Sequence, residues 1–175
     1  VRSRGLGDVY KRQLIVNKTY PLPQNYNPGV NPEAKAALDK MFAAAKAEQN
    51  LKMWVCSGFR SYTVQKNLYN SYVRRDGAKA ADRYSARPGY SEHQTGLAFD
   101  INYADYRFKN TAEAKWLAAN AYKYGFILRY PEGKESITGY MYEPWHYRYV
   151  GVESAKKIFD SGLTLEEYFG ITSSY

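Results

Sequence analysis

Ser91-Glu92-His93-Gln94-Thr95-Gly96-Leu97-Ala98-Phe99-Asp100 is the stretch on which the reading of this chain turns. Its first half is polar and turn-like, and from Leu97 to Asn102 it alternates enough to run as a strand carrying Asp100. A second run, Glu143-Pro144-Trp145-His146, answers it: the chain holds 2 histidines, and each run has one. Pro144 disfavours a helical turn there, so a bend into a strand is expected to bring Glu143 and His146 to one site. Two imidazoles and a carboxylate (His93, Asp100, His146) make a three-ligand zinc set with a fourth position left for water. Glu143 is then placed to act on that water as a general base. Asp100 in an apolar strand supports this, because a carboxylate buried without a partner costs on the order of several kcal/mol, and a cation removes that cost.

Working outward, Leu14 to Lys18 reads as a short strand stopped by Pro21 and Pro23, followed by an extended surface arm to Gly29. Asn31 caps a helix with Pro32 in its first turn, and Ala34, Ala37, Leu38, Met41, Phe42 and Ala45 form its apolar stripe. Leu51 to Cys56 reads as a buried strand, Ser57 to Ser61 as a turn, and Thr63 to Arg74 as a helix stopped by Asp76-Gly77. Ala78 to Ser91 is loop-like. Thr111 caps a further helix ending at Gly125, with Trp116, Leu117 and Ala121 inward. Phe126 to Tyr130 and Tyr140 to Val150 are expected strands, Glu153 to Phe159 a short helix, and Thr164-Leu165-Glu166-Glu167 a capping box opening the last one. The order predicts an α+β fold: a small antiparallel sheet with helices packed around it, placed on one side, in a single domain over 14–175.

Residues 1–13 match nothing that follows in pattern; they resemble translated adapter sequence and are expected to be a non-native or disordered leader, which leaves room for a native signal or anchor lost there. At 175 residues with 45% apolar content the chain suffices for one core. The net charge of +8 favours anionic partners, but the basic residues are dispersed and no nucleic-acid module is recognisable. There is no apolar run long enough to span a membrane. Nineteen tyrosines suit a groove for a polar, partly apolar ligand, although core and surface packing account for most of them. Cys56, the single cysteine, excludes an internal disulfide and reads as a buried inert thiol; pairing with either histidine as a nucleophile is the lesser reading.

The pattern Ser91-x-His93-x-x-Gly96-x-Ala98-x-Asp100 followed by Glu143-x-x-His146 resembles the signature of VanY-type D-alanyl-D-alanine carboxypeptidases, within the wider LAS zinc peptidases. The similarity runs from Val16-Asn17-Lys18 through Ser57-Gly58-Phe59-Arg60-Ser61 to Thr164-Leu165-Glu166-Glu167-Tyr168. The resemblance implies one zinc ion on His93, Asp100 and His146, Glu143 as catalytic base, and Arg60 pointing into the site to stabilise charge on a carbonyl or carboxylate. A guanidinium suits that task because its fork matches planar oxyanions. Gln65, Ser91 and Arg87 are weaker candidates for substrate contact, each nearly as well explained as a cap, turn or solvent-facing residue. The implied substrate is the terminal peptide bond of peptidoglycan stem peptides, releasing D-alanine outside the cytoplasmic membrane of a bacterium, by a monomer. Alternatives on the same residues are an L,D-carboxypeptidase or endopeptidase, a non-haem iron oxygenase using the same ligand triad, and a non-catalytic wall-binding module with a structural zinc.

Overall fold

The computed structural model describes residues 9, 10 and 13–175. The expected leader over 1–13 therefore lies largely outside the described residues. At its edge, β1 (Val9–Tyr10) pairs antiparallel with β2 (Gln13–Leu14), and the Gln13 amide donates to the Val150 carbonyl at 2.8 Å. The expected strand over 14–18 stops at Leu14, since Ile15 and Val16 are buried outside any ladder. Asn17 closes a turn there by accepting the amides of Thr19 and Tyr20 on its side-chain oxygen.

Helix α1 (Pro32–Gln49) begins where the cap predicts it, the Asn31 side chain accepting the Ala34 amide at 2.9 Å. It buries Ala34, Leu38, Met41 and Ala45. The following segment departs from expectation: β3 is Val55–Ser57, a mostly exposed edge strand. Its ladder to the next strand is irregular between Val55 and Ser57, and the Trp54 amide bonds the Asn102 side chain instead. Cys56 is accordingly exposed, contrary to the buried thiol expected. Helix α2 (Tyr62–Asp76) is capped by Ser61, and a short α3 (Ala78–Ala81) interrupts what reads as loop.

A 3-10 turn over Glu92–Thr95 leads into β4 (Ala98–Ile101). Then come α4 (Ala112–Asn120), β5 (Phe126–Leu128), α5 (Glu135–Thr138), β6 (His146–Tyr149), α6 (Val152–Ser161) and α7 (Leu165–Phe169), the last with the capping box formed by Thr164 and Glu167. The four-stranded sheet has the order β3-β4-β6-β5, antiparallel throughout. The fold is α+β as expected, with shorter strands.

Strand alternation divides the interior. Phe99, Ile101, Phe126 and Tyr147 turn to one face and pack with α1 and α4 residues such as Leu38, Met41, Trp116 and Leu117. Ile127 turns to the other, against Ala155 and Ile158 of α6 and Leu165 and Phe169 of α7. Helices thus lie on both faces, correcting the one-sided arrangement: the apolar faces of α6 and α7 need the second face of β5 to be buried at all. Asp100 and His146 are direct ladder partners, so they share a face with Ala98 and Arg148, opposite Phe99 and Tyr147.

Candidate metal and catalytic site

That pairing places an aspartate and a histidine side by side at the middle of the sheet, drawn from segments far apart in sequence. His93 reaches them from the 3-10 turn. Ser91 opens that turn, its hydroxyl accepting the His93 amide, and Gly96 closes it in the left-handed region at φ 72°. A side chain at Gly96 is excluded twice over, since a Cβ there would stand 2.0 Å from the Gly29 carbonyl oxygen.

His93 Nε2 lies 3.2 Å from one Asp100 carboxylate oxygen, and His146 Nδ1 lies 3.3 Å from the other. The three ligand atoms all fall within 4.8 Å of one another, and all three residues are buried. His93 Nε2 and Asp100 Oδ1 have no hydrogen-bond partner among the described residues. Buried polar atoms are ordinarily paired, so two orphans in one cluster of ligand atoms fit a cation that uses both. The far side of each ring is anchored. His93 Nδ1 is 2.7 Å from the Gly58 carbonyl, and His146 Nε2 is 3.4 Å from Glu92 Oε2.

Glu143 stands 3.3 Å from His146 Nδ1. Its backbone is tied to β5's continuation, donating to the Tyr130 carbonyl, and the His146 amide returns to the Glu143 carbonyl. The expected long strand over 140–150 is thus a bend before β6, which sets the two side chains on one site. Burial pushes the Glu143 carboxyl above its ordinary range, with nearby His146 pulling the other way. Burial works against charge on Asp100 too, but there the two imidazoles prevail and hold its carboxyl well below the usual range. His93 is lowered, by burial and then by the Arg60 charge.

Arg60 enters the cleft from the turn after β3, its amide bonded to the His93 carbonyl at 3.1 Å. Its guanidinium lies 3.6 Å from Asp100 and donates to the Gln65 side-chain oxygen at 2.8 Å, while its Nε has no partner. Gln65, in turn, donates to Ser85 and to the Ala86 carbonyl. Gln65 and Ser91 both line the cleft, but the amide of Gln65 is already engaged from both ends, and what it orients is Arg60. Arg87 is not brought in. Its fork is closed on Asp82 at 2.8 and 3.1 Å, and its guanidinium packs 3.9 Å from the centre of the Tyr175 ring.

The cleft, about 360 Å³, is walled by Tyr84, Tyr106, Tyr130, Tyr140, Tyr142 and Trp145, so part of the tyrosine excess does line a groove. Sequence reading missed the group behind His146: Glu92, Arg129, Arg148 and Glu166, all fully or almost fully buried. The available signal was charge inside apolar runs, with Arg129 closing Phe126-Ile127-Leu128 and Arg148 alternating with aromatic residues. Cys56 also sits near the site. Partial shielding and the Asp100 carboxylate push its thiol up to about 11, which makes it a poor nucleophile at neutral pH.

The family described as VanY, D-alanyl-D-alanine carboxypeptidase, matches residues 27–152. The chain belongs to the VanY family. A putative carboxypeptidase, YodJ, from Bacillus subtilis is 46% identical over 180 residues, covering 89% of this chain; the chain spans 66% of that relative's length. Among solved structures, the LdcB LD-carboxypeptidase is 50% identical with a TM-score of 0.87, covering 99% of this chain and 96% of its own. The vancomycin-resistance D,D-pentapeptidase VanY of a VanB-type cassette, in complex with Zn(II), is 37% identical with a TM-score of 0.78, covering 88% of this chain and 96% of its own. The solved structures similar to this chain thus include one described as an LD-carboxypeptidase and one described as a D,D-pentapeptidase.

Proposed function

We propose that this chain is a carboxypeptidase holding one zinc ion on His93, Asp100 and His146, and that it releases the C-terminal D-alanine of peptidoglycan stem peptides on the outer side of a bacterial cytoplasmic membrane. One observation carries the reading: three buried ligand atoms, two of them orphaned, converge beside Glu143 at the cleft. When bound, zinc supplies Lewis acidity and lowers the pKa of water from 15.7 to about 7. Glu143 takes the proton of the attacking water and passes it to the leaving amine; burial that favours its protonated form suits it to hold a proton between the two events. Arg60, fixed by Gln65 and Asp100, offers its unpartnered Nε and the rest of its fork to a carbonyl oxygen acquiring charge or to the terminal carboxylate.

A second reading shifts the scissile bond. Its support is the 50% identity to an LD-carboxypeptidase over nearly the whole chain, against 37% to a D,D-pentapeptidase. Defined muropeptides ending in penta- and tetrapeptides separate the two by mass spectrometry, with and without a chelator. We expect loss of one alanine that stops when metal is withdrawn. Release from the pentapeptide marks a D,D preference, and release from the tetrapeptide an L,D one. No release from either overturns the proposal.

A further inference from the structure

His146 has two neighbourhoods. Its Nδ1 lies 3.3 Å from both Asp100 and Glu143, and its Nε2 lies 3.4 Å from Glu92 Oε2. The other oxygen of Glu92 receives Arg129 Nε at 2.7 Å and Arg148 at 3.1 Å. Arg129 uses its two remaining nitrogens on Glu166, at 2.8 and 2.6 Å, and Asn17 donates to the same carboxylate at 3.1 Å. The side chains of Glu92, Arg129, Arg148 and Glu166 are all 0% exposed, and their four charges alternate and cancel.

Such a row is a poor device for stability alone. Replacing buried ion pairs by apolar groups of similar volume is often neutral or stabilising. What the row does is immobilise one carboxylate against one imidazole. A carboxylate gripped by two guanidiniums has no proton to give, so the shared hydrogen must come from His146 Nε2. In the zinc-loaded site that would leave Nδ1, on the side of Asp100 and Glu143, as the nitrogen that gives up its proton and ligates. His93 is arranged the other way round, its Nδ1 donating to the neutral Gly58 carbonyl and its Nε2 left for the site.

We propose that Glu92 is a positioning residue for the metal centre: by accepting the Nε2 proton it selects which nitrogen His146 presents, and Arg129, Arg148 and Glu166 hold Glu92 in place. The proposal rests on the reading of His93, Asp100 and His146 as a zinc site. Outer partners of this kind typically account for about 10–100-fold in metal affinity. Glu166→Gln is the comparator, because it disturbs the same buried row without touching His146.

The wild-type chain offers the first test, since its 2 histidines give a simple nitrogen spectrum. In the zinc-loaded protein, 15N NMR is expected to show His146 protonated at Nε2 and His93 at Nδ1; a proton on His146 Nδ1 overturns the proposal. Next, Glu92→Gln is expected to weaken zinc binding about 10–100-fold in chelator competition and to shift the cobalt(II) absorption spectrum. Glu166→Gln, in which Arg129 and Arg148 still grip Glu92, is expected to lower the melting temperature and to move both readouts less than Glu92→Gln does; an equal shift in the two variants overturns the direct role of Glu92. If Glu92→Gln does not fold, the charge-balanced pair Glu92→Gln with Arg148→Met takes its place. Wild-type zinc affinity and an unchanged cobalt spectrum in a folded Glu92 variant overturn the positioning role while leaving the zinc reading intact. A wild-type chain that binds no zinc removes the metal reading, and the proposal with it.

Discussion

Glu143 differs from the other acids of the site in how little its neighbours offset burial. Asp100 is held ionised by two imidazoles, whereas Glu143, 3.3 Å from His146, is pushed toward its protonated form. Glu143→Gln keeps the shape and removes the base. Turnover is expected to fall about 10²–10⁴-fold, with zinc content and circular dichroism unchanged; a variant keeping more than about a tenth of the wild-type rate would take Glu143 out of proton transfer. At this scale the candidate ligands were legible because each is a polar residue that an apolar or motif-bearing run cannot otherwise accommodate. Glu92 was not, although it stands between Ser91 and His93, because its role depends on Arg129 and Arg148 arriving from β5 and β6. Gln65 and Arg87 illustrate the same limit. Sequence shows a donor's chemistry, and the fold decides whether Ser85, Ala86 or Asp82 has already claimed it.

The turn between Glu92 and β4 holds the described glycine whose added Cβ would be most crowded. Gly96 has φ 72°, its carbonyl accepts the Asn31 amide, and an added Cβ would meet the Gly29 oxygen at 2.0 Å. Gly96→Ala is therefore expected to cost about 3 kcal/mol or more and to loosen the α1 cap together with His93. Gly58→Ala is the control, because its added carbon meets Val55 and Phe99 at an ordinary 3.7 and 3.8 Å. Equal melting temperatures for the two variants would refute this. Three helices were legible in the sequence through their caps, Asn31, Thr111 and Thr164, each of which accepts an amide of its first turn, whereas the Ser61 cap of α2 was read only as part of a turn. Strand lengths were not legible. Asn102 and Asn17 take backbone partners that a ladder would otherwise use, and that competition is settled by tertiary contact.

For the molecule as a whole, the buried charge row ties the N-terminal arm, the sheet and α7 together, through Arg148 to the Leu14 carbonyl and through Glu166 to Asn17. It also sets an acid limit on the fold. Burial opposes the charge on Glu92, but Arg129 and Arg148 outweigh it and hold the carboxyl well below its ordinary 4.5. The unfolded chain therefore binds this proton first. The stabilisation is complete above about pH 4.5 and is lost as pH falls toward the depressed folded value. Urea midpoints of the metal-free protein between pH 7 and pH 3 are expected to fall more steeply for wild type than for Glu92→Gln; parallel curves would contradict the linkage. The net charge of +8 was legible from composition, and the internal neutrality of this row was not.

The ladder pairing of Asp100 with His146 has a further consequence. Side chains alternate between faces, so sliding β6 along β4 by a single step would swing His146 to the apolar side and bring Tyr147 round in its stead. His93 and Asp100, neighbours on one short segment, would stay behind as a half-built grip. Registry between the two central strands thus serves as the protein's own assay of correct assembly: a slipped chain could keep its helices and outline, yet arrive without the means to work.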